Sequence, residues 1–353
     1  MGFLNKKNII LPLCAAIGVI AGCSRNTSSV TAERSSLSFN ITGAVAGIKA
    51  PQQLVITIAN GSGFNRERTI PSPANTGSFQ FPEVPYGHLF IDIQGLNDGL
   101  RTMFGHSEME ITVPNANSNV VLRNSLTTKT IGPLPEQLFL RLVAERSAFW
   151  NDLPANSTAL CATASGSASM RTTVLASQQY LYFLFEVTDG NFVDEDRAVN
   201  QSGEMTSDAV IVYLCKSPPY ALNTTGNVFP AARFQCEVGR NMLDNCKFNF
   251  ANFETGTVRT IAMAALNTDE VKGRLLRNVT NLKQRTLELR INKELFELPT
   301  DNIDNNLLFG LVIRYRDSID PAEPIQLCDW QSGQVESDPK TMLASWGYLE
   351  ITR

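Results

Sequence analysis

The sequence predicts an all-β protein: two β-sandwich domains behind an N-terminal signal and a flexible tether. Three observations predict it. Apolar residues recur at every second position in short runs, as on strands with one buried face. Long stretches with the 3.6-residue helical period are nearly absent. Gly- and Asn-rich clusters break the runs at short intervals, as turns do. Only 18% of the 353 residues are charged, so apolar, aromatic and β-branched residues dominate the runs. The length suits two ordinary domains.

At the N-terminus, Lys6 and Lys7 precede an almost wholly apolar run from Ile9 to Ile20, closed by Ala21, Gly22 and Cys23. A basic start, a short apolar middle and small residues before the cut define a secretory signal over 1–22. The run is shorter than the roughly 20 residues a spanning helix needs. Ile20-Ala21-Gly22-Cys23 resembles the lipobox of bacterial lipoproteins. That resemblance implies that Cys23 becomes the first mature residue, carries diacylglycerol on its thiol and is acylated on its amine, typically with palmitate. Membrane lipid is then a partner through Cys23. Several chains anchor stably where one does not, because each buried methylene adds about 0.8 kcal/mol. Ser24 follows, where the family's inner-membrane retention signal has Asp, so the expected location is the outer membrane, facing either the periplasm or the surface. The alternative is an ordinary signal peptide with a chance cysteine. Residues 23–35 contain one large apolar residue, Val30, and read as the tether. Removing the signal takes two of the 30 basic residues, leaving 28 against 34 acidic ones. No basic block survives, which argues against a nucleic-acid partner.

Residues 36–126 form the first expected domain, a small immunoglobulin- or transthyretin-like sandwich. Leu37, Phe39 and Ile41 alternate with polar neighbours, as do Leu54, Ile56 and Ile58, then Leu89, Ile91 and Ile93, then Met109, Ile111 and Val113. Asn60-Gly61-Ser62-Gly63 and Asn97-Asp98-Gly99 supply turns. About seven short strands in this space suit a sandwich. Phe79-Gln80-Phe81-Pro82-Glu83-Val84-Pro85-Tyr86-Gly87 resembles the turn of transthyretin-like or carboxypeptidase-regulatory-like domains, which are mostly spacers. Residues 127–135, with Pro133 and Pro135, lack periodicity and read as a linker.

The second expected domain spans 136–353. Gln179 to Thr188 is a strongly β-prone run ending in Asp189-Gly190, followed by an acidic loop with Asp194, Glu195 and Asp196. Then come Ser207-Asp208 and the run Ala209 to Leu214, Leu287 to Ile291 with Glu294 to Phe296, Leu308 to Asp317, Cys328-Asp329-Trp330, and Trp346-Gly347-Tyr348-Leu349-Glu350-Ile351. Phe149-Trp150-Asn151-Asp152-Leu153 opens the domain. In this order the motifs resemble the family-9 carbohydrate-binding module, a DOMON-like sandwich, with Asn292 where many members have Pro. The resemblance implies a two-sheet sandwich and non-catalytic glycan binding.

A sugar site needs flat apolar surface for ring faces and fixed polar groups for hydroxyls, and aromatic side chains supply area at low entropic cost. Trp150, Trp330 and Trp346 are the only tryptophans, and Arg314 and Arg316, with Asp317, stand at a strand end. These are the expected glycan contacts, Trp330 foremost because Asp329 and Gln331 flank it. The alternative for each tryptophan is core packing, and for the charges a solvated strand end. Asp189, Asp194, Asp196 and Asp208 offer oxygen ligands suited to calcium, and structural calcium recurs in the resembled family; a merely solvated acidic loop is the other reading. No other cofactor is expected. DOMON-like domains also bind haem, but His88 and His106, the only histidines, lie in the first domain and leave only Met205, Met242, Met263 or Met342 as ligands.

Of seven cysteines, Cys14 lies in the signal and Cys23 is the lipid site; Cys161, Cys215, Cys236, Cys246 and Cys328 remain. Export makes disulfides expected. Cys236 and Cys246 flank a stretch that reads as a hairpin tip, and are expected to pair. A zinc site is disfavoured by the absence of CxxC pairs. No GxSxG, HExxH or P-loop is present, so no enzyme is expected. The expected function is therefore glycan binding by an envelope lipoprotein. The alternative is a structural or assembly lipoprotein whose sandwich binds an envelope protein.

The lipid anchor is directly testable: Cys23→Ser should abolish lipid labelling and leave unprocessed precursor. Mature, membrane-bound protein in that variant would overturn the assignment.

Overall fold

The computed structural model describes residues 34–43, 50–71, 73, 77–132, 150–151, 153, 157–163, 167–193, 208–215, 232–239, 247–252, 257–262, 269–296, 305–315, 326–330, 333–335 and 347–352. Cys23 and the residues of the signal and most of the tether lie outside this set. The described residues are nearly all strand. In chain order they form β1 (Arg34–Gly43), β2 (Gln53–Ala59), β3 (Asn65–Pro71), β4 (Gly77–Pro85), β5 (Gly87–Asn97), β6 (Leu100–Ile111) and β7 (Asn115–Lys129). There follow β8 (Thr158–Ala162), β9 (Ala168–Ala176), β10 (Tyr180–Asp189), β11 (Ala209–Cys215), β12 (Ala232–Glu237), β13 (Lys247–Asn252) and β14 (Thr257–Ala262). The rest are β15 (Val271–Arg277), β16 (Gln284–Asn292), a 3-10 turn (Lys293–Phe296), β17 (Asn305–Tyr315), β18 (Gln326–Asp329), β19 (Gly333–Val335) and β20 (Gly347–Thr352).

The first seven strands make two layers. The antiparallel run β3-β2-β5-β6 faces β4-β1-β7, in which β1 is antiparallel to β4 and parallel to β7. Period-two patterning explains the core: Leu37, Phe39 and Ile41 of β1 pack with Leu54, Ile56 and Ile58 of β2 and Leu89, Ile91 and Ile93 of β5, all buried. Burying each such side chain contributes about 1.5–3 kcal/mol. Phe81 and Val84 are also both buried although three residues apart, which a regular strand cannot do. A register shift in the β1–β4 ladder, with Glu83 at φ 57°, resolves this as a bulge. Val113 departs from expectation. It was expected to continue the β6 alternation but is 49% exposed. β6 ends at Ile111, and Pro114, which has no N–H for the ladder, follows.

The later strands make the second sandwich. A five-stranded antiparallel sheet, β15-β16-β10-β9-β8, faces β14-β13-β12-β11-β17-β20, and β18 and β19 extend from β17. Phe183 and Phe185 of β10 stack at 5.8 Å, and Phe234 of β12 meets Phe183 edge-on at 5.1 Å. β10 is apolar without alternation because both its faces are covered: Phe183 and Phe185 join the main core, while Tyr182 and Leu184 pack with Trp150 and Leu175.

β7 belongs to both sandwiches. Its first half pairs with β1, Asn124 and Arg123 pair with β6, and Ser125 to Lys129 run parallel to Tyr348–Thr352 of β20. The expected linker 127–135 therefore begins as strand. Thr128 is fully buried, its hydroxyl donating to the Val174 carbonyl at 2.9 Å, and Thr130 N–H donates to the Thr352 carbonyl at 2.6 Å. β-branched threonines suit such a ladder, and β20 supplies the partner that the local sequence does not reveal. Pro133 and Pro135 lie outside the described residues. The whole of 34–353 forms one compact unit.

β6 approaches β7 closely enough to require a glycine. A Cβ on Gly105 would stand 2.9 Å from both Val120 Cγ1 and the Val121 carbonyl oxygen. Gly105→Ala should therefore lower unfolding free energy by about 1–3 kcal/mol through overpacking. Denaturant titration checks this, and an unchanged midpoint would refute the close approach.

Candidate functional site

A cleft of about 380 Å³ lies where β7 passes from one sandwich to the other. The β5–β6 turn contributes Asn97, Asp98, Leu100 and Thr102; β7 contributes Asn124 and Ser125; β8 contributes Thr158, Ala159 and Leu160; Trp330 follows β18. The turn is the two-residue kind that Asp-Gly favours, with Asp98 at φ 51° and Gly99 at φ 76°. It is braced from β2's leading edge. Asn97 Oδ1 accepts from Gln52 N at 2.9 Å, Gln52 Oε1 accepts from Asp98 N at 2.8 Å, and Gln52 Nε2 donates to Asp98 Oδ1 at 3.2 Å. Asn97 Nδ2 donates to Thr102 Oγ1 at 2.7 Å. Across the cleft, Asn124 Nδ2 donates to the Trp330 carbonyl at 2.8 Å. Two apolar side chains sit at the rim, Leu160 at 61% and Leu100 at 38% exposure. The cleft thus combines fixed amides, hydroxyls and one carboxylate with apolar rim groups, at a size typical of small-ligand sites.

The tryptophans stand differently from expectation. Trp330 is 6% exposed, edge-on to Phe309 at 5.1 Å, and Trp150 is 3% exposed among Leu175, Tyr182 and Leu184. Neither presents a face on which a sugar ring could stack; both are core residues, although Trp330 also lines the cleft. Trp346 and Arg316 lie outside the described residues, as does Asp317. Arg314 is on β17, opposite Ala209 of β11 and Leu327 of β18; its side chain lies outside the description.

Of the expected calcium ligands, Asp194 and Asp196 lie outside the described residues. Asp189 and Asp208 are buried and tie down the ends of that loop: Asp189 Oδ1 accepts from Asn191 N at 2.9 Å, and Asp208 Oδ2 from Val193 N at 2.7 Å. Among the described residues no group of three His, Cys, Asp or Glu is placed to hold a metal ion. Cys236 is buried on β12, where its cross-strand neighbour on β13 is Phe248; Cys246 lies outside the described residues, and so does the expected pairing.

Of the residues that line the cleft, sequence singled out Trp330 as a glycan contact and read Asn97-Asp98-Gly99 as a turn; it did not point to the others. Asn124 and Leu160 carry no local signal.

No protein family matches the sequence, and no curated protein matches it. Among solved structures, the chain is similar to a family 9 carbohydrate-binding module from Caldicellulosiruptor kristjanssonii in complex with cellotriose. The identity is 12%, over 65% of this chain and 93% of that one, with a TM-score of 0.38. It is also similar to a family 9 module of the same organism in complex with glucose, at 13% identity over 65% of this chain and 96% of that one, with a TM-score of 0.36.

Both histidines lie on the outer face of β5 and β6, among carboxylates. His106 Nδ1 lies 2.6 Å from Asp92 and Nε2 3.3 Å from Glu108; His88 Nε2 lies 3.4 Å from the other Glu108 oxygen. Burial pushes the His106 pKa down, but the hydrogen bond and charge of Asp92, then those of Glu108, outweigh it and hold it above 6.5. The folded state then binds the proton more tightly than the unfolded one. Its contribution is fully present below about pH 6.5 and is lost as pH rises through the raised pKa. Unfolding free energy should fall across that window, and Asp92→Asn should flatten the fall. Identical pH profiles for the two proteins would remove His106 as its source.

Proposed function

We propose that the chain is a non-catalytic carbohydrate-binding lipoprotein of the bacterial cell envelope, held in the outer membrane through Cys23, with the cleft between the sandwiches as its glycan site. The observation that carries this reading is the lining. Sugar hydroxyls both donate and accept, and the amides of Asn97 and Asn124, the carboxylate of Asp98 and the hydroxyls of Thr102 and Thr158 match that mixed demand. Leu100 and Leu160 supply apolar contact for a ring face, in place of the aromatic platform expected from sequence. Asp98 is the one carboxylate among the described lining residues, whereas glycoside hydrolysis uses a pair; this supports binding without turnover. The burial of Trp150 and Trp330 favours a second reading, in which the exposed leucines of the rim meet an envelope protein.

A glycan array with soluble protein spanning 34–353 tests the proposal. A bound glycan is expected, and Leu160→Ala, at an exposed rim position, should weaken it roughly tenfold while leaving thermal stability nearly unchanged. Binding unaffected by Leu160→Ala and by Asp98→Ala would place the site elsewhere. An empty array would favour the protein-partner reading.

A further inference from the structure

Two of the mature cysteines meet in the interior, and no local sequence pattern connects them. Cys161 lies on β8, in the five-stranded sheet, and Cys328 on β18, in the facing sheet. They are 167 positions apart in the chain, yet their sulfur atoms stand 2.8 Å apart. Cys161 Sγ is also 2.6 Å from the Cys328 carbonyl oxygen. Both side chains are fully buried. Two sulfurs at this separation are closer than ordinary van der Waals contact, and a small side-chain rotation covers the rest of the way to the roughly 2.05 Å bond.

We propose that Cys161 and Cys328 form a disulfide that clasps the two sheets of the second sandwich beneath the cleft. Cys161 directly follows Leu160 of the cleft rim, and Cys328 stands two residues before Trp330 of its wall. The bond would hold those two walls at fixed separation, whichever ligand the cleft takes.

The oxidant is a disulfide donor of the exported space, either a small-molecule disulfide or a dithiol oxidase. One cysteine thiolate attacks the donor disulfide, forming a mixed disulfide and releasing one donor thiol. The second cysteine, as its thiolate, attacks the protein sulfur of that mixed disulfide and releases the second donor thiol. Two protein thiols become one disulfide, and one donor disulfide becomes two thiols. Because the native sulfurs are fully buried, this exchange precedes closure of the sheets, and the finished bond is shielded from reductants. The bond closes a long loop, and such bonds restrict the unfolded chain most.

The test is a disulfide map of the full chain, unfolded with reductant and then refolded in a mixture of reduced and oxidised glutathione. Remaining thiols are alkylated in denaturant before proteolysis and mass spectrometry. The expected result is one ion joining the Cys161 and Cys328 peptides, two hydrogens lighter than their sum, in most of the refolded chains. Alkylation of both cysteines, or linkage of either to Cys215, Cys236 or Cys246, would overturn the proposal. Neither result depends on a glycan, on export or on Cys23, so the map can fail while the glycan reading stands, and the reverse.

Discussion

The backbone ladder along β7 is the constraint on which the rest of the structure depends. One strand pairs in parallel with β1 through its first half and in parallel with β20 through its second. Its hydrogen-bonding groups are thus satisfied by partners from opposite ends of the described chain, and neither sandwich closes without it. A ladder of such long-range pairs brings little early reward for the loop entropy it costs, so slow folding is expected of this topology. Side chains reinforce the join. The Arg101 guanidinium pairs with Glu350 and lies over the Phe104 ring, Thr127 donates to Glu350 at 3.2 Å, and Phe104 meets Tyr348 edge-on at 5.1 Å. Burial pushes the Tyr348 phenol up to about 12, so it stays neutral in the physiological range.

The cleft inherits its rigidity from that join. Its lining comes from a turn of the first sandwich, the middle of β7 and a strand and a turn residue of the second. Relative motion of the sandwiches would therefore reshape it, and the Arg101–Glu350 pair and the Asn124 bond to the Trp330 carbonyl oppose such motion. The Gln52 brace does the same for the Asp98 turn, using three hydrogen bonds to hold two left-handed residues in place. Preorganised polar groups of this kind lose little entropy on binding.

Much of this fold was legible because strand periodicity is a local signal. Leu37, Phe39 and Ile41, or Leu89, Ile91 and Ile93, declare their buried face without knowledge of any partner. What failed needed a partner from far along the chain. Thr127 and Thr128 look like linker until β20 is placed beside them. Trp330, between Asp329 and Gln331, looks exposed until Phe309 of β17 is set against its ring. The cleft was least legible of all, because no two of its walls are neighbours in sequence. The join between the sandwiches hid it for the same reason: Arg101 and Glu350 are ordinary surface charges until β7 draws their strands together.

If the cleft is the glycan site proposed above, its size and its two leucines in place of an aromatic platform would set the character of its binding. Apolar contact from Leu100 and Leu160 amounts to a few tens of Å² on each side chain, worth on the order of 1 kcal/mol apiece. Neutral hydrogen bonds add roughly 0.5–1.5 kcal/mol each after water is displaced. Against the loss of translational and rotational freedom, a single cleft would hold one or two sugar rings only weakly and release them quickly. Anchoring through Cys23 would change that outcome without altering the cleft. Many copies held in one membrane would present a repeating glycan with many weak sites at once, and the second and later contacts become intramolecular. On the proposed reading, weak individual binding and lipid attachment would be complementary: the cleft would supply selectivity among ring shapes and hydroxyl patterns, and the membrane would supply avidity.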